Sequence, residues 1–331
     1  MTFDTDLTRR FGLRLPIVAG GLQWLGDAHW AAAAAQAGML GFLTAASFPD
    51  PADLRTQIAK ARKMAGDNSF GVNVSMLPKL VPGERTEEIF RLIAGEGVTV
   101  VETSGRSPEP YMDLLRDLGL TIIHKVPSVR HAATAQRLGV DMVAIVGAEC
   151  GGHPGMDMIG TMVNAALARE RLTIPFLIGG GIGHGSQIAA ALAMGAAGVV
   201  MGTRLLVAEE VQAHPGYKQA LVAAGERDTA LTMQSVRNTI RTLANETTAQ
   251  VAELERENPQ IGIDALMPLV SGKIGRRAYA TGDTSRGMLS AGQSLGLTDR
   301  IEPMAAIANR LAEQARKARA TLLAAMPEAT P

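Results

Sequence analysis

The chain alternates short apolar runs with longer stretches in which apolar and polar residues recur at helical spacing. The runs are rich in Val and Ile, and most are apolar throughout, as in parallel strands that are buried on both faces. Between them lie Ala-rich amphipathic stretches, several of which end at Gly, a helix stop signal. Eight runs are predicted to be strands: 16–20, 40–44, 70–75, 98–103, 120–126, 141–147, 174–180 and 197–202.

Eight strand–helix units in succession predict an α/β fold, a (β/α)8 TIM barrel. A doubly wound open sheet is the alternative, because eight units in a row do not prove closure. The pattern changes after residue 210, where residues 211–299 predict a small helical lid or substrate domain, with helix throughout 217–258. A long final helix is expected to return to the barrel, so the barrel domain comprises 1–210 plus 300–331.

Composition narrows the class of protein. Of the 331 residues, 47% are hydrophobic, and 32 Lys and Arg balance 32 Asp and Glu. Neither nucleic acid nor an anionic membrane is therefore an expected partner. One cysteine cannot form an internal disulfide, and the N-terminus lacks the charged-then-apolar order of a signal peptide. Since no apolar run approaches the roughly 20 residues of a membrane span, a cytoplasmic location is expected.

Two glycine-rich turns follow the last predicted strands. Active sites of TIM barrels lie at the carboxyl ends of the strands, which directs attention to "GGGIGHG" (179–185) and "MGT" (201–203). Both offer bare backbone N–H groups, and helix N-termini approached through Gly bind phosphate. The alternative is two tight turns with no ligand. The dinucleotide pattern G-x-G-x-x-G is not met.

Three reactive side chains lie near the other strand ends. Lys125 ends strand 5 and either neutralises an anionic cofactor ring or is an ordinary lysine at the rim. His153, in "GAECGGHPG" (147–155), is a base or hydrogen-bond donor at neutral pH, or else a solvent-exposed loop histidine. Cys150, in the same loop, is either a nucleophile or a small residue packed beneath the loop. The histidines lack the spacing of metal ligands, so no metal site is expected.

Seven short motifs resemble those of one known protein family, and they occur in the same order along the chain. "LPIVAGGLQW", "GVNVSMLP", "HKV", "GAECGGHPG", "IGGGIGHG", "MGTR" and "SAGQSLG" resemble the nitronate monooxygenase (formerly 2-nitropropane dioxygenase) family over about residues 10–300. The resemblance implies a TIM barrel that binds FMN and carries a helical lid. The loop "ECGGHPG" is its most specific element.

The resemblance also implies roles for individual residues. His153 matches the active-site histidine of the family. Met76 and Pro78, in the loop after strand 3, are expected to shape the entrance for a nicotinamide substrate. The expected contacts of FMN with its ring, ribityl chain and phosphate are Gly21, Leu22, Gln23, Asn73, Lys125, Gly151, Gly180, Gly181, Met201, Gly202, Thr203 and Gln293.

Three activities are compatible with this site. The first is FMN-dependent oxidation of alkyl nitronates to carbonyl compounds and nitrite with O2. The second is an NAD(P)H:quinone reductase with NADH or NADPH as co-substrate, because "GGLQW" departs from the Ala-Pro-Met form of the first motif and resembles the NADH:quinone reductase subgroup. The third is a nucleotide dehydrogenase of the IMP dehydrogenase kind that depends on Cys150. The expected partners are a small-molecule substrate and O2, and a homodimer is compatible with the sequence.

Overall fold

Eight parallel strands form the centre of the computed structural model, which describes residues 3–76 and 84–327. They are β1 (Ile17–Ala19), β2 (Leu40–Thr44), β3 (Phe70–Ser75), β4 (Val100–Ser104), β5 (Thr121–Val126), β6 (Met142–Val146), β7 (Phe176–Gly179) and β8 (Gly198–Met201). Each strand pairs with the next, and β8 pairs with β1, so that the sheet closes on itself. The TIM barrel predicted from the sequence is therefore confirmed, and the open-sheet alternative is wrong.

Apolar side chains fill the barrel because alternate residues of each strand point inward. A helix before the first strand, α1 (Asp6–Phe11), adds Leu7, which would lie 2.8 Å from a Cβ on Gly198 at the start of β8. This contact closes the amino end of the barrel. The interior cluster consists of Leu7, Val18, Leu40, Phe42, Val100, Ile123, Met142, Ala144, Leu177, Ala197 and Val200.

The outer layer consists of helices that follow the strands. They are α2 (Ala28–Gln36), α3 (Pro51–Ala65), α4 (Thr86–Gly95), α5 (Met112–Asp117), α6 (Val129–Leu138), α7 (Thr161–Arg171) and α8 (Gly185–Ala193). The alanines of α2 make it thin, and it approaches β2 so closely that a Cβ on Gly41 would stand 2.4 Å from the Ala31 carbonyl oxygen. The sheet and its helices therefore share one large hydrophobic core.

A separate group of elements follows the barrel, within the segment that the sequence predicted to be a lid, and we call this group the lid. It contains α9 (Pro215–Ala223), β9 (Thr229–Thr232), β10 (Ile240–Leu243), α10 (Glu246–Glu257), α11 (Ile263–Val270) and α12 (Gly272–Thr281). The strands β9 and β10 pair as an antiparallel hairpin, so the expectation of helix throughout 217–258 was wrong in its middle part. The lid has a small core of its own, made by Met233, Val251, Ile261 and Leu266.

The last helix, α13 (Met304–Ala325), lies against the barrel beside α8. A Cβ on Gly185 would stand 2.2 Å from the Leu311 carbonyl oxygen, and Gln314 accepts a hydrogen bond from the Gly185 N–H at 2.9 Å. The final helix thus packs on the helix that begins just after the predicted phosphate loop. Within the described ranges, no helix has the length and apolar character that crossing a membrane requires.

Candidate active site

A buried polar cluster occupies the barrel interior at the carboxyl ends of the strands, above the apolar layers. Glu102 of β4 lies at its centre with its side chain fully buried. Its Oε2 accepts hydrogen bonds from Asn73 Nδ2 of β3 at 2.6 Å and from Lys125 Nζ of β5 at 3.1 Å. The N–H of Gly21, after β1, donates to the same oxygen at 3.1 Å. One carboxylate thus accepts hydrogen bonds from three of the predicted cofactor residues.

Glu102 was missed by the sequence analysis. The signal was available, because Glu102 interrupts an apolar strand in the same way as Lys125, which the analysis did single out. Lys125 is 22% exposed, so it is neither free in solvent nor an ordinary lysine at the rim. A buried ion pair at strand ends is unusual unless its members are also hydrogen-bonded, as they are here.

The loop after β1 is shaped by close approaches. A Cβ on Gly21 would stand 2.3 Å from Asn73 Cβ, so glycine at this position lets the loop lie directly on the amide. Leu22 is half-buried and Gln23 is exposed. Trp24 follows with φ of +69°, an uncommon value for a non-glycine residue. Its ring lies 5.0 Å from the Arg276 guanidinium of α12, which links the loop to the lid.

The loop after β6 is held by the lid. Gly152 and Arg241 of β10 exchange two backbone hydrogen bonds at 2.9 and 2.7 Å. The buried Arg241 guanidinium also donates to the Ala148 carbonyl at 3.0 Å. A Cβ on Gly151 would stand 2.7 Å from the backbone of Ala291, so a side chain there would push the lid away. The glycines of this loop therefore admit the lid backbone.

His153 follows this anchored segment. The residue is exposed to solvent. Surrounding protein nevertheless removes enough water to lower the pKa of His153, and repulsion from the Lys125 ammonium lowers it further. A pKa below the usual value near 6.5 leaves the imidazole neutral at pH 7 and able to accept a proton.

The turn after β7 has fewer free backbone N–H groups for binding an anion than its number of glycines suggests. The N–H groups of Gly183 and His184 both donate to Gln187 Oε1, at 2.8 and 3.0 Å. Gln314 and the His184 ring take the next two N–H groups, so the start of α8 is already capped. The earlier part of the turn, Gly180 and Gly181 with φ of +102° and +70°, is the part that remains for a phosphate.

The turn after β8 contacts the segment that follows the lid, close to the turn after β7. Thr203 Oγ1 accepts a hydrogen bond from the Gly292 N–H at 2.9 Å, and the Gln293 N–H donates to the Glu149 carbonyl at 3.0 Å. A cavity of about 190 Å³ beside them is lined in part by Gly180, Gly181 and Gln293. The predicted phosphate residues of both turns and the lid residue therefore lie together.

Two predicted residues differ in placement from the rest. Met201 is buried in the core between strands and helices. Met76 is buried at the end of β3, where its N–H donates to the Ser104 carbonyl at 2.9 Å. Pro78 lies outside the described residues. Gly202 has only Leu22 Cδ2 within 4 Å of a Cβ built on it, at 3.6 Å.

Cys150 is buried beneath the loop, and burial raises the pKa of its thiol to about 12. A thiol with that pKa contributes almost no thiolate at neutral pH, which disfavours a nucleophilic role. We expect Cys150→Ala to keep activity within about threefold of the wild type. Steady-state rates measure this on a substrate whose proton must be removed by a base, for which His153→Ala is the reference of low activity. A loss as large as that of His153→Ala would restore the nucleotide dehydrogenase alternative.

Comparisons with known proteins agree with this geometry. The model of a family described as nitronate monooxygenase matches residues 4–314. A (3aS,4S,5R,7aS)-5-hydroxy-7a-methyl-1-oxo-octahydro-1H-indene-4-carboxyl-CoA dehydrogenase from Rhodococcus jostii is 31% identical over 230 residues, which cover 70% of this chain and 63% of that protein. The chain thus matches a little under two thirds of the length of this curated relative.

Solved structures resemble the chain over nearly its whole length. FabK from Thermotoga maritima has 32% sequence identity and a TM-score of 0.89, with 98% of this chain and 100% of that chain covered. Nitroalkane oxidase from Streptomyces ansochromogenes has 27% identity and a TM-score of 0.79, covering 96% and 98%. Both likenesses include the lid as well as the barrel.

Proposed function

Because this chain belongs to the nitronate monooxygenase family and is therefore an oxidoreductase, we propose that it holds FMN at the mouth of the barrel and oxidises alkyl nitronates. The products are a carbonyl compound and nitrite, with O2 as the second substrate. One observation carries the proposal: the lid holds the His153 loop at the mouth that also contains the Glu102–Lys125 pair and the two glycine turns. The solved structure named nitroalkane oxidase supports this substrate class.

The residues present fit a flavin. Lys125 is 22% exposed at the strand ends and offers a charged donor to the oxygens and nitrogens of a flavin ring. The backbone of Gly202 is open, because a Cβ there would meet only Leu22 Cδ2, at 3.6 Å. Gly180, Gly181 and Thr203 would hold the phosphate, while Gly21, Asn73 and Lys125 would lie under the ring or chain.

The chain's own residues contribute position, charge and proton transfer. FMN, when bound, supplies the redox chemistry that no side chain can perform. His153, neutral at pH 7, accepts the α-proton of a neutral nitroalkane on a ring nitrogen, and with a preformed nitronate it donates a hydrogen bond to the nitro group. Lys125 places a positive charge at the mouth, which favours an anionic substrate and developing negative charge.

A second activity is compatible with the same site. The Rhodococcus relative is named as a dehydrogenase rather than a monooxygenase. In this chain the exposed Gln23 stands in the "GGLQW" loop that resembles the quinone reductase subgroup. We therefore keep NAD(P)H:quinone reductase as the alternative, with the same FMN site and with His153 orienting the acceptor.

One experiment separates these activities. The purified protein is scanned in the visible range before and after addition of FMN, and then mixed anaerobically with NADH, NADPH and a nitronate in turn. Nitronate oxidation predicts a yellow protein that is bleached rapidly by the nitronate and slowly by either nicotinamide. Rapid bleaching by NADH or NADPH would favour the alternative instead. A protein that stays colourless with added FMN would refute both.

A further inference from the structure

The protein binds the carbonyl groups of the turn after β7 and leaves its N–H groups available. The Gly179 carbonyl accepts a backbone hydrogen bond from the loop after β6 at 2.8 Å, and the Gly181 carbonyl accepts from Gln187 Nε2 at 2.8 Å. Between them, the Gly180 carbonyl accepts from Thr161 Oγ1, also at 2.8 Å. The N–H groups of Gly180 and Gly181 donate to no atom in the described part of the chain. The turn thus combines three bound acceptors with two unused donors.

The bound carbonyl of Gly180 decides the direction of the next N–H group. The peptide between Gly180 and Gly181 is trans, and in a planar trans peptide the C=O and N–H bonds point in opposite directions. Because the hydroxyl of Thr161 holds the Gly180 carbonyl, the N–H of Gly181 points away from Thr161. The hydroxyl therefore orients a donor to which it is not itself bonded.

Thr161 lies on the β6 side of this turn. It is the first residue of α7, and a Cβ on Gly147, which follows β6, would stand 2.2 Å from Thr161 Oγ1. Since β7 lies between β6 and β8 in the barrel, the direction away from Thr161 is the β8 side of the turn. The turn after β8 begins with Gly202 and Thr203, whose N–H groups also donate to no described residue. The N–H of Gly181 is thus directed to the side where the other predicted phosphate residues lie.

The Gly180 carbonyl depends on this one hydroxyl. A threonine hydroxyl has a single proton, and Thr161 Oγ1 has two further acceptors, Glu149 Oε2 at 2.8 Å and the Gly179 carbonyl at 3.2 Å. Glu149 also accepts from the Thr161 N–H at 3.0 Å, and the Gly179 carbonyl has its backbone donor. The Gly180 carbonyl has no second donor among the described residues. An acceptor left without a donor is costly, so we assign the proton to Gly180.

We propose that Thr161 is a positioning residue for the phosphate group of the cofactor: its hydroxyl holds the Gly180 carbonyl on the α7 side, so that the Gly181 N–H is presented to the phosphate on the other side. This inference rests on the proposed function, because it presupposes FMN at the mouth. It goes further by assigning a role to a helix residue outside both glycine turns. A backbone donor that is already oriented needs no rearrangement when an anion binds.

Thr161→Val tests the assignment, because valine keeps the branched shape and the N–H that bonds to Glu149 but lacks the hydroxyl. We expect FMN to bind about tenfold more weakly, the effect of about one lost hydrogen bond. Riboflavin, which has the ring and ribityl chain of FMN but no phosphate, should bind within twofold of its wild-type affinity. Dissociation constants of both ligands are measured by flavin fluorescence with the apoproteins. An FMN affinity within twofold of the wild type, or equal losses for the two ligands, would overturn the proposal.

Two further variants control for side-chain shape and for general destabilisation. Thr161→Ser keeps the hydroxyl and should bind FMN within about threefold of the wild type, whereas a tenfold loss would exclude the hydroxyl as the cause. Thr8→Val is the matched control, because this buried threonine also donates its hydroxyl to a backbone carbonyl, that of Phe3 at 3.0 Å, but lies at the amino end of the barrel. We expect it to leave both affinities unchanged, and a loss confined to FMN would contradict the assignment.

Melting temperatures of the apoproteins verify folding. If Thr161→Val does not fold, Thr161→Ala is titrated in its place, since it removes the hydroxyl without setting a second methyl group against the Gly180 carbonyl. The same tenfold loss, confined to FMN, is expected, and unchanged FMN binding would again refute the inference.

The outcomes separate this inference from the proposed function. A wild-type protein that binds neither FMN nor riboflavin would refute both together. A wild-type protein that binds FMN no more tightly than riboflavin would refute the inference alone, because the phosphate would then contribute nothing to binding. A loss confined to FMN in Thr161→Val, in a protein that does not oxidise nitronates, would support the inference and refute the proposed substrate.

Discussion

His153→Ala lowers kcat/KM for a neutral nitroalkane by about 10²–10⁴-fold, the usual contribution of a positioned base. The loss with the preformed nitronate of the same compound is much smaller, because its α-proton has already been removed. Both substrates are assayed at the same pH and flavin content. His29→Ala is the control, because the His29 ring contacts Asp27 at 3.2 Å and is not one of the residues assigned to the site. Equal losses on the two substrates would exclude a base role.

The pH dependence of the same reaction gives an independent measurement. Desolvation and then the charge of Lys125 lower the pKa of His153, so the base form prevails above the usual value near 6.5. We expect kcat/KM with the nitroalkane to be flat above pH 6.5 and to fall only at lower pH. Lys125→Met removes the repulsion and should shift this fall to higher pH. A fall centred above pH 7 in the wild type would contradict the assignment.

Lys125→Met lowers the free energy of unfolding of the apoprotein by about 3 kcal/mol, the lower end of the range for removing one partner of a buried ion pair. The lower end applies because Lys125 is 22% exposed, although its partner Glu102 is fully buried. Denaturant unfolding monitored by circular dichroism measures the difference. The melting temperature should fall accordingly.

A surface pair provides the comparison for this stability prediction. Lys317 and Glu313 lie one turn apart on α13 at 2.9 Å, with side chains 76% and 55% exposed. Exposed pairs of this kind contribute about 0.3–0.5 kcal/mol. Lys317→Met should therefore change stability by less than 1 kcal/mol. A similar small effect for Lys125→Met would mean that Glu102 needs no cation, and that the polar cluster is held by hydrogen bonds alone.

The barrel was predictable because its strands are continuously apolar and locally encoded. Each strand end lies within two residues of the predicted one; the least accurate runs were 98–103, observed as Val100–Ser104, and 174–180, observed as Phe176–Gly179. The hairpin was not predictable in the same way. β9 and β10 are four residues each, rich in Thr and Leu but short, and their identity depends on pairing with each other and with Gly152 and Ser290.

Site residues were predictable where an ionisable side chain occurs in a segment that is otherwise apolar or rich in glycine. Lys125 and His153 stand out in an apolar strand and a bare glycine loop, and the structure brings both to the mouth. Arg241 gave no such signal, because an arginine in a polar segment is ordinary. Its importance follows from the hydrogen bond of its guanidinium to the Ala148 carbonyl, 93 residues away in the chain. Long-range partners of this kind are fixed only by the closed fold.

The backbone bridge between Gly152 and Arg241 has a consequence for how the chain matures during synthesis. A nascent chain that has emerged only as far as residue 210 already contains every barrel strand, yet it lacks Arg241, whose backbone and guanidinium hold the histidine loop. The His153 imidazole can reach its final position only after the hairpin has been translated and has packed against the loop. Shortened forms that stop before β10 would therefore be barrels whose histidine loop lacks its contacts with Arg241, and catalytic competence would arrive late in biogenesis, well after the sheet has closed.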